Sequence, residues 1–280
     1  MKYNILSIRL DSWRTGAEQI QKAMILTIDA GSSRIFGGLL QDGQIKATFQ
    51  KNSSTGMSAD EIGLFLIQWL CVNHFSADDI EGFVYCSVVP ELNKVLDECS
   101  RKYFNLEALS QKAGVKSGLQ VKYTNHHELG ADLIANAVAG VKLHPGKNLI
   151  IVDFGTATSL CAVSRLKEYL GGTLVPGLDI AMEALADRTA WLPEVEIRQS
   201  KNVCGRDTVS AIQGGLYFGT IGMLKELIYR MKKECFSQEG ALVLATGTYA
   251  QLFQNTQIFD EIVPELVLLG LEEIRNLNLN

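Results

Sequence analysis

Two short segments of the sequence place an aspartate, a glycine and hydroxyl residues directly after an apolar run. The first is Asp29-Ala30-Gly31-Ser32-Ser33, and the second is Asp153-Phe154-Gly155-Thr156-Ala157-Thr158. Backbone N–H groups near a glycine and serine or threonine hydroxyls donate to phosphate oxygens, while an aspartate holds a magnesium ion or its waters. The sequence therefore predicts two phosphate-binding loops, although one copy alone is typical of an ordinary turn.

The two loops recur at the spacing of a domain. Asp153 follows Asp29 by 124 residues, which favours an internal duplication with two related lobes enclosing the phosphates of a nucleotide. A third strand end, Ala245-Thr246-Gly247, is expected to lie against the nucleoside. The sequence contains neither a Walker A motif nor G-x-G-x-x-G, so the P-loop and dinucleotide-binding folds lose their main support.

Phosphoryl transfer also needs a group near the acceptor hydroxyl, and Asp132 is the candidate. A carboxylate in that position orients the nucleophile and accepts its proton. Asp132 lies in Gly130-Ala131-Asp132, at the start of an apolar helix rich in small residues that we predict over 129–141. The positive end of the helix dipole is compatible with a carboxylate there. The alternative is that Asp132 is an ordinary acid of a first helical turn.

The elements that carry these residues indicate a mixed α/β protein. An antiparallel meander is predicted over 25–28, 35–40 and 44–50, with Asp42-Gly43 as its second turn. The other predicted elements of the first half are helices over 60–71 and 91–103 and a strand over 82–89. The second half is predicted to hold strands over 149–152, 160–163 and 169–172, helices over 179–188 and 209–233, and a last strand over 241–245.

A chain break at His144-Pro145-Gly146-Lys147 sets the expected domain boundary. We predict an N-terminal extension over 1–24, a first lobe over 25–146 and a second lobe over 147–280. Two interpretations of the extension stay open, because Met24 is either the physiological start or follows a native appendage.

Composition restricts the class of protein and its compartment. The net charge of −5 and the lack of clustered Lys and Arg argue against a nucleic-acid binder, while 47% hydrophobic residues supply a full core. The six cysteines have no metal-ligand spacing and are expected to be reduced thiols. The longest apolar run, 64–72, is too short for a membrane helix, and no signal peptide is evident, so we expect no membrane association and a cytoplasmic location.

Nine ordered blocks resemble the type III pantothenate kinase family, from about residue 25 to the C-terminus. They are IDAGSS (28–33), YCSVVP (85–90), AGVKSGLQVKY (113–123), ELGADLIANAVAG (128–140), IIVDFGTATSLCAVS (150–164), YLGGTLVPGL (169–178), ALADRTAWLP (184–193), DTVSAIQGGLYFG (207–219) and LATGTYA (244–250). The resemblance implies two ribonuclease-H-like, actin-like lobes of the acetate and sugar kinase superfamily and a homodimer. It further implies ATP-dependent phosphorylation of the primary hydroxyl of pantothenate, the first step towards coenzyme A.

The resemblance also assigns roles to particular residues. ATP phosphate and magnesium would be held by Asp29, Ala30, Gly31, Ser32, Ser33, Arg34, Ile35 and Phe36, with Thr156 as a second ATP contact. Asp132 would be the proton acceptor, and Asp153 would ligate a monovalent cation, potassium or ammonium. The pantothenate pocket would be lined by Tyr123, Gly130, Ala131, Asp132, Leu133 and Thr189.

Departures from the family pattern bear on the substrate. Leu133 stands where the family has an arginine that pairs with the pantothenate carboxylate, a charge-assisted bond of about 1.5–3 kcal/mol. The first loop has Ser32 and Ser33 in place of the usual Asn and Thr. Two further changes are His126 in place of a frequent proline and Thr248 in place of a common glycine. His126, His127 and Arg188 are hypothetical substitutes for the lost positive donor.

Three functions therefore compete. The leading hypothesis is an active or weakened pantothenate kinase, favoured by Asp29, Asp132, Asp153 and Thr156. The second is a non-catalytic paralogue that keeps ATP binding as a regulatory or interaction protein, favoured by Leu133 and Ser32. The third is a kinase for a related alcohol that lacks the carboxylate.

Overall fold

Two β-sheets form the framework of the protein. The computed structural model describes residues 23–279 apart from Thr55 and Gln238, so the predicted extension over 1–24 lies almost wholly outside the described residues. The strands of the first sheet are β1 (Met24–Ala30), β2 (Arg34–Gln41), β3 (Gln44–Asn52), β4 (Ile80–Ser87) and β5 (Leu109–Ser110). Those of the second are β6 (Gln120–Val121), β7 (Leu149–Phe154), β8 (Ala157–Val163), β9 (Glu168–Pro176), β10 (Leu242–Gly247) and β11 (Glu261–Ile262).

Six α-helices in the described part of the chain cover these sheets. They are α1 (Ala59–Val72), α2 (Pro90–Phe104), α3 (Ala131–Leu143), α4 (Leu178–Arg188), α5 (Thr208–Phe236) and α6 (Leu266–Asn278). A capping box between Ser58 and Glu61 begins α1, and Asp207 caps α5 by accepting from the backbone N–H of Ser210. The five helices predicted from the sequence are therefore present, with ends that shift by up to three residues.

The predicted meander is confirmed, and its topology occurs twice. In the first sheet, ordered β3-β2-β1-β4-β5, strands β1 to β3 are antiparallel and β4 runs parallel to β1. In the second, ordered β11-β10-β7-β8-β9-β6, β7 to β9 are antiparallel and β10 runs parallel to β7. Asp42 and Gly43 both have positive φ (53° and 75°), as a two-residue hairpin turn requires. The mixed α/β class with a duplicated architecture is confirmed.

Helices α3 and α6 pack against each other in the interior. Ile134 and Val138 of α3 share one buried cluster with Leu268 and Leu271 of α6 and with residues of β1 and β4. Ala137 and other residues of α3 belong to a second cluster with β7, β8 and β10. The helix that carries Asp132 is thus held against both sheets, which fixes its first turn relative to both loops.

The end of the chain differs from the prediction. The sequence predicts a last strand over 241–245, but β11 and α6 follow that strand, and α6 is largely buried. Gly270 explains the depth at which α6 packs, since a Cβ there would lie 1.9 Å from the carbonyl oxygen of Ala135. The close approach of α3 and α6 therefore requires glycine at this position.

The remaining sequence expectations concern thiols, membranes and domain limits. All six cysteines are free, as predicted. Within the described part of the chain, no helix combines the length and the apolarity needed to cross a membrane. The domain boundary at residue 146 stays a prediction; β6, from before this residue, joins the second sheet, while α6 packs against the first.

Candidate active site

The two predicted loops leave equivalent positions of the two sheets. Asp29 is the penultimate residue of β1, and Asp153 is the penultimate residue of β7. Asp132 lies in the first turn of α3, which begins after Gly130 as its N-cap. The fold therefore collects three carboxylates at one end of the buried strands, each from a different element.

Hydroxyl contacts join the two loops. The Thr156 hydroxyl donates to Ser33 Oγ at 3.3 Å, and the Ser32 hydroxyl donates to Thr156 Oγ1 at 3.4 Å. Arg34 extends the contact, because its Nη1 donates to Thr248 Oγ1 at 3.4 Å, just after β10. The loops predicted to enclose a polyphosphate therefore face each other, and their hydroxyl groups are partly exposed and available to a ligand.

The glycine of the third strand end lies against the second loop. Gly247 has φ +86°, and a Cβ there would lie 2.4 Å from Asp153 Oδ1 and 2.7 Å from the backbone nitrogen of Phe154. Any side chain at 247 would displace the Asp153 carboxylate. The third strand end therefore lies against the second loop and requires glycine there, while its contact with a nucleoside stays a prediction.

Burial raises the pKa of all three carboxyl groups, and the charge of Asp132 adds to this effect at Asp29 and Asp153. Burial, followed by the charge of Asp132, raises the pKa of Asp29 to about 8. Burial and Asp132 likewise raise the pKa of Asp153 to about 7. Burial also raises the pKa of Asp132, and the backbone N–H groups of Leu133 and Asp132 partly offset this. Such clustered carboxylates favour the binding of cations.

Each loop aspartate is held by one neutral donor that the sequence interpretation missed. Cys86 on β4 lies beside Asp29 in the parallel register, and its thiol donates to Asp29 Oδ1 at 3.2 Å. Asn136 Nδ2 donates to Asp153 Oδ2 at 2.9 Å. The signal for Asn136 was its position four residues after Asp132, which places both on one helical face. No local signal in the sequence pairs Cys86 with Asp29.

The oxygen atoms of the site suit hard cations. Asp132 Oδ1 and Asn136 Oδ1 are buried and have no hydrogen-bond partner among the described residues. In the same part of the chain, no three His, Cys, Asp or Glu side chains are close enough to hold a metal by themselves. Magnesium is commonly bound by one or two carboxylates together with substrate phosphates and waters, so the residues present fit a magnesium ion that arrives with a nucleotide.

The residues predicted to line a pantothenate pocket are only partly brought together. Gly130 leaves room for the catalytic candidate, since a Cβ there would lie 2.3 Å from Asp132 Oδ1 and would displace that carboxylate. Ala131 and Leu133 flank Asp132 in the same helical turn. Tyr123 is 36% exposed and packs edge-to-face on Tyr169, with ring centroids 6.5 Å apart.

Thr189 and the hypothetical substitutes for the family arginine lie at separate places. The Thr189 hydroxyl donates to the carbonyl of Leu185 at 2.8 Å, and its described hydrogen bonds do not reach Asp132 or Tyr123. Arg188 ends α4. His126 lines a cavity beside α3, whereas the His127 side chain lies outside the described residues.

Comparison with known proteins agrees with this site. The family model described as type III pantothenate kinase matches residues 25–230. The type III pantothenate kinase of Legionella pneumophila strain Corby is 45% identical over 248 residues, which span 89% of this chain and 96% of that protein. Type III pantothenate kinase 1 of Francisella tularensis subsp. holarctica strain OSU18 is 41% identical over 255 residues, spanning 91% and 100% respectively.

A solved structure supports the fold alone. A conserved protein from Campylobacter jejuni, assigned in its description to the Baf family of transcriptional activators, superposes with a TM-score of 0.58 at 19% identity, covering 91% of this chain and 99% of that one. The family assignment rests instead on the sequence matches, which span most of the chain together with both loops and Asp132. The chain belongs to the type III pantothenate kinase family.

Proposed function

We propose that this protein transfers the γ-phosphoryl group of ATP to the primary hydroxyl of pantothenate. One observation carries the proposal: the helix that begins with Asp132 contacts the second loop directly, since Asn136, one turn after Asp132, donates to Asp153 at 2.9 Å. The charge of Asp132 accordingly raises the pKa of both loop aspartates. A proton acceptor is therefore positioned next to two loops whose hydroxyl and N–H groups suit phosphate. Family membership specifies the acceptor, and the product enters coenzyme A synthesis.

Each residue has a role that follows from its place. Ser32, Ser33 and Thr156 exchange their mutual hydrogen bonds for bonds to phosphate oxygens. Asp132 orients the pantothenate hydroxyl and accepts its proton, and its raised pKa brings this base closer to working pH. Asp29 would hold magnesium, which neutralises charge on the transferring phosphoryl group.

Asp153 is proposed to bind a monovalent cation, potassium or ammonium. Its carboxylate is oriented by Asn136, whose Oδ1 is buried and free to act as a second oxygen ligand. Such a cation would offset the negative charge of the three carboxylates and the nucleotide. This assignment explains why the buried residue that contacts the second loop is an asparagine and not an apolar residue.

A homodimer is proposed from the surface of the second lobe. Large apolar side chains are exposed on β9, α4, the following segment and the start of α5: Leu174, Ile180, Leu185, Trp191, Val203 and Val209. Trp191 is 91% exposed and lies two residues after Thr189. A second copy would cover this apolar surface, and Thr189 adjoins it.

We place the protein in the cytoplasm, where its nucleotide substrate is found.

One observation favours a second candidate function. Leu133 presents an apolar side chain in the turn that adjoins the proton acceptor. This side chain suits an alcohol that resembles pantothenate but has no carboxylate. A protein that retains nucleotide binding without catalysis is the remaining alternative.

A turnover assay tests these functions together. ATP consumption is measured with pantothenate and with pantetheine, in the presence of magnesium and either potassium or ammonium. We expect pantothenate turnover that Asp132→Asn abolishes and that Asp78→Asn, on the exposed surface of the first lobe, leaves intact. Turnover of pantetheine alone would favour the second candidate. No turnover with either alcohol, unchanged in Leu133→Arg, would refute the kinase proposal.

A further inference from the structure

A cavity of about 230 Å³ lies beside the first turn of α3, outside the group of three carboxylates. The segment that follows β5 forms one wall, and α3 forms the other. Its lining includes Gln111, Lys112, Leu119, His126, Ala131 and Ile134. None of the roles assigned above uses Gln111, Lys112 or Leu119.

Gln111 is the buried polar group of this cavity. Its residue is 5% exposed, and Oε1 has no hydrogen-bond partner among the described residues. The backbone N–H of Gln111 donates to the carbonyl of Tyr85 at 2.7 Å, which fixes the residue next to β4. A buried amide oxygen without a partner is unfavourable, so a ligand that donates to it would relieve that cost.

The rest of the lining defines what such a ligand looks like. Leu119, Ile134 and neighbouring apolar side chains form the walls, whereas Lys112 and His126 are exposed at the rim. Among the described residues, no acidic side chain lines the cavity. The chemistry is complementary to a molecule with an apolar body, an amide N–H for Gln111 and an anionic group for Lys112.

The cavity also adjoins the reaction centre. Ala131 contributes to its lining, and the next residue of α3 is Asp132. Successive helical residues point about 100° apart, so the Ala131 side chain is directed towards the cavity and the Asp132 side chain towards the loops. The cavity and the Asp132 carboxylate therefore lie on different sides of one helical turn.

We propose that this cavity receives the amide and carboxylate end of the acceptor substrate. Gln111 accepts from the amide N–H, and Lys112 pairs with the carboxylate, with His126 as an additional N–H donor. Lys112 thereby takes over the recognition that an arginine at the position of Leu133 performs in the family. This inference rests on the proposed pantothenate kinase function and names the residues that confer its specificity.

Kinetics with a charged and an uncharged acceptor test the inference. Pantothenate is compared with panthenol, in which a hydroxymethyl group replaces the carboxylate. For Lys112→Met we expect about a tenfold increase in the KM of pantothenate, an unchanged KM of panthenol, and kcat within about twofold. For Gln111→Leu we expect the KM of both acceptors to rise about fivefold. Lys94→Met is the control, because Lys94 is exposed on α2 and faces Glu98 instead.

Other results would overturn the inference. A KM of pantothenate that is unchanged in both variants, or a lower kcat at constant KM, would show that the cavity does not hold the substrate. Because Lys112 is exposed, its substitution tests the cavity even if Gln111→Leu impairs folding.

Calorimetric titration separates failure of this inference from failure of the proposed function. Pantothenate that binds the unmodified protein more tightly than Lys112→Met, without turnover, would support the cavity and refute the kinase function. Binding that is equal in the two proteins, or absent from both, would refute the cavity.

Discussion

Asn136 donates a 2.9 Å hydrogen bond to the carboxylate of Asp153 from a position one helical turn beyond Asp132. One face of α3 therefore presents the proposed proton acceptor and also orients the aspartate of the second loop. The N-terminal turn of the helix positions Asp132, and burial between the two sheets fixes Asn136, which is 1% exposed.

Replacing Asn136 with leucine is expected to impair cation use. The variant keeps the side-chain volume but removes the donor to Asp153 and the buried Oδ1. Hydrogen bonds to charged groups contribute about 1.5–3 kcal/mol, so we expect kcat/KM for ATP to fall at least tenfold. The potassium concentration for half-maximal activity should rise. Steady-state assays across a potassium series measure both, and Asn255→Ala, on the exposed surface of the second lobe, serves as the control.

The thiol of Cys86 is expected to act through Asp29. Cys86→Ser retains a donor and should keep activity within about threefold. Cys86→Ala removes the donor and should lower kcat/KM for ATP about five- to tenfold, as expected for one hydrogen bond. Cys99→Ala provides the matched control, because Cys99 is also a buried thiol but lies in the core of the first lobe. Equal activities of the alanine and serine variants at position 86 would contradict this role.

An arginine at position 133 is expected to shift the pH dependence of turnover. A guanidinium next to Asp132 stabilises the ionised carboxylate and so lowers its pKa, which burial raises in the native protein. Because the proton acceptor must be ionised, the acidic limb of the kcat profile of Leu133→Arg should move about one unit towards lower pH. A profile that superposes on that of the native protein would place the new side chain away from Asp132.

The stability of the ligand-free protein should fall as pH rises through the titration of Asp29. Its folded pKa of about 8 exceeds the usual value of about 4 for an unfolded aspartate. Between these values the folded state binds the extra proton, so Asp29 alone decreases the free energy of unfolding by up to about 1.4 kcal/mol per pH unit. Denaturant unfolding from pH 5 to pH 8 measures the slope.

Asp29→Asn should reduce that slope by the contribution of one carboxyl group and stabilise the ligand-free protein at pH 8, since the amide has no charge to bury. Asp153, whose pKa is raised to about 7, should maintain the rest of the slope. Asp78→Asn, on an exposed position, should leave the slope unchanged. Magnesium and a nucleotide analogue should also flatten the slope in the native protein. A slope that is equal in Asp29→Asn and the native protein would contradict the raised pKa of Asp29.

Local patterns predicted the parts of the site that lie within one stretch of sequence. The strand–Asp–x–Gly pattern gave both loops, Asp42-Gly43 gave the hairpin, and Gly130-Ala131-Asp132 gave the start of α3. Each of these depends on residues a few positions apart, where turn chemistry and hydrophobic periodicity decide the structure.

The missed features depend on contacts that are distant in sequence. Cys86 meets Asp29 because β4 pairs with β1 across 57 positions, and a lone cysteine in a buried strand carries no sign of that partner. The depth at which α6 packs depends on Gly270 meeting Ala135. The segment 266–278 received no prediction, although its apolar residues at 267, 268, 271 and 274 recur at helical spacing. That helix could be predicted from its own sequence, whereas its packing against α3 could not.

The position of α6 sets the order of events during protein synthesis. Leu268, Leu271 and Ile274 complete the cluster that covers β1 and β4, yet they are made about 190 residues after β4. At a translation rate of roughly 5–20 residues per second, the inner face of the first sheet stays exposed for on the order of ten to forty seconds before α6 is synthesised and can pack on it. The first lobe therefore cannot finish folding while the second is being synthesised, and a nascent chain arrested before α6 would expose an apolar surface for chaperones to bind.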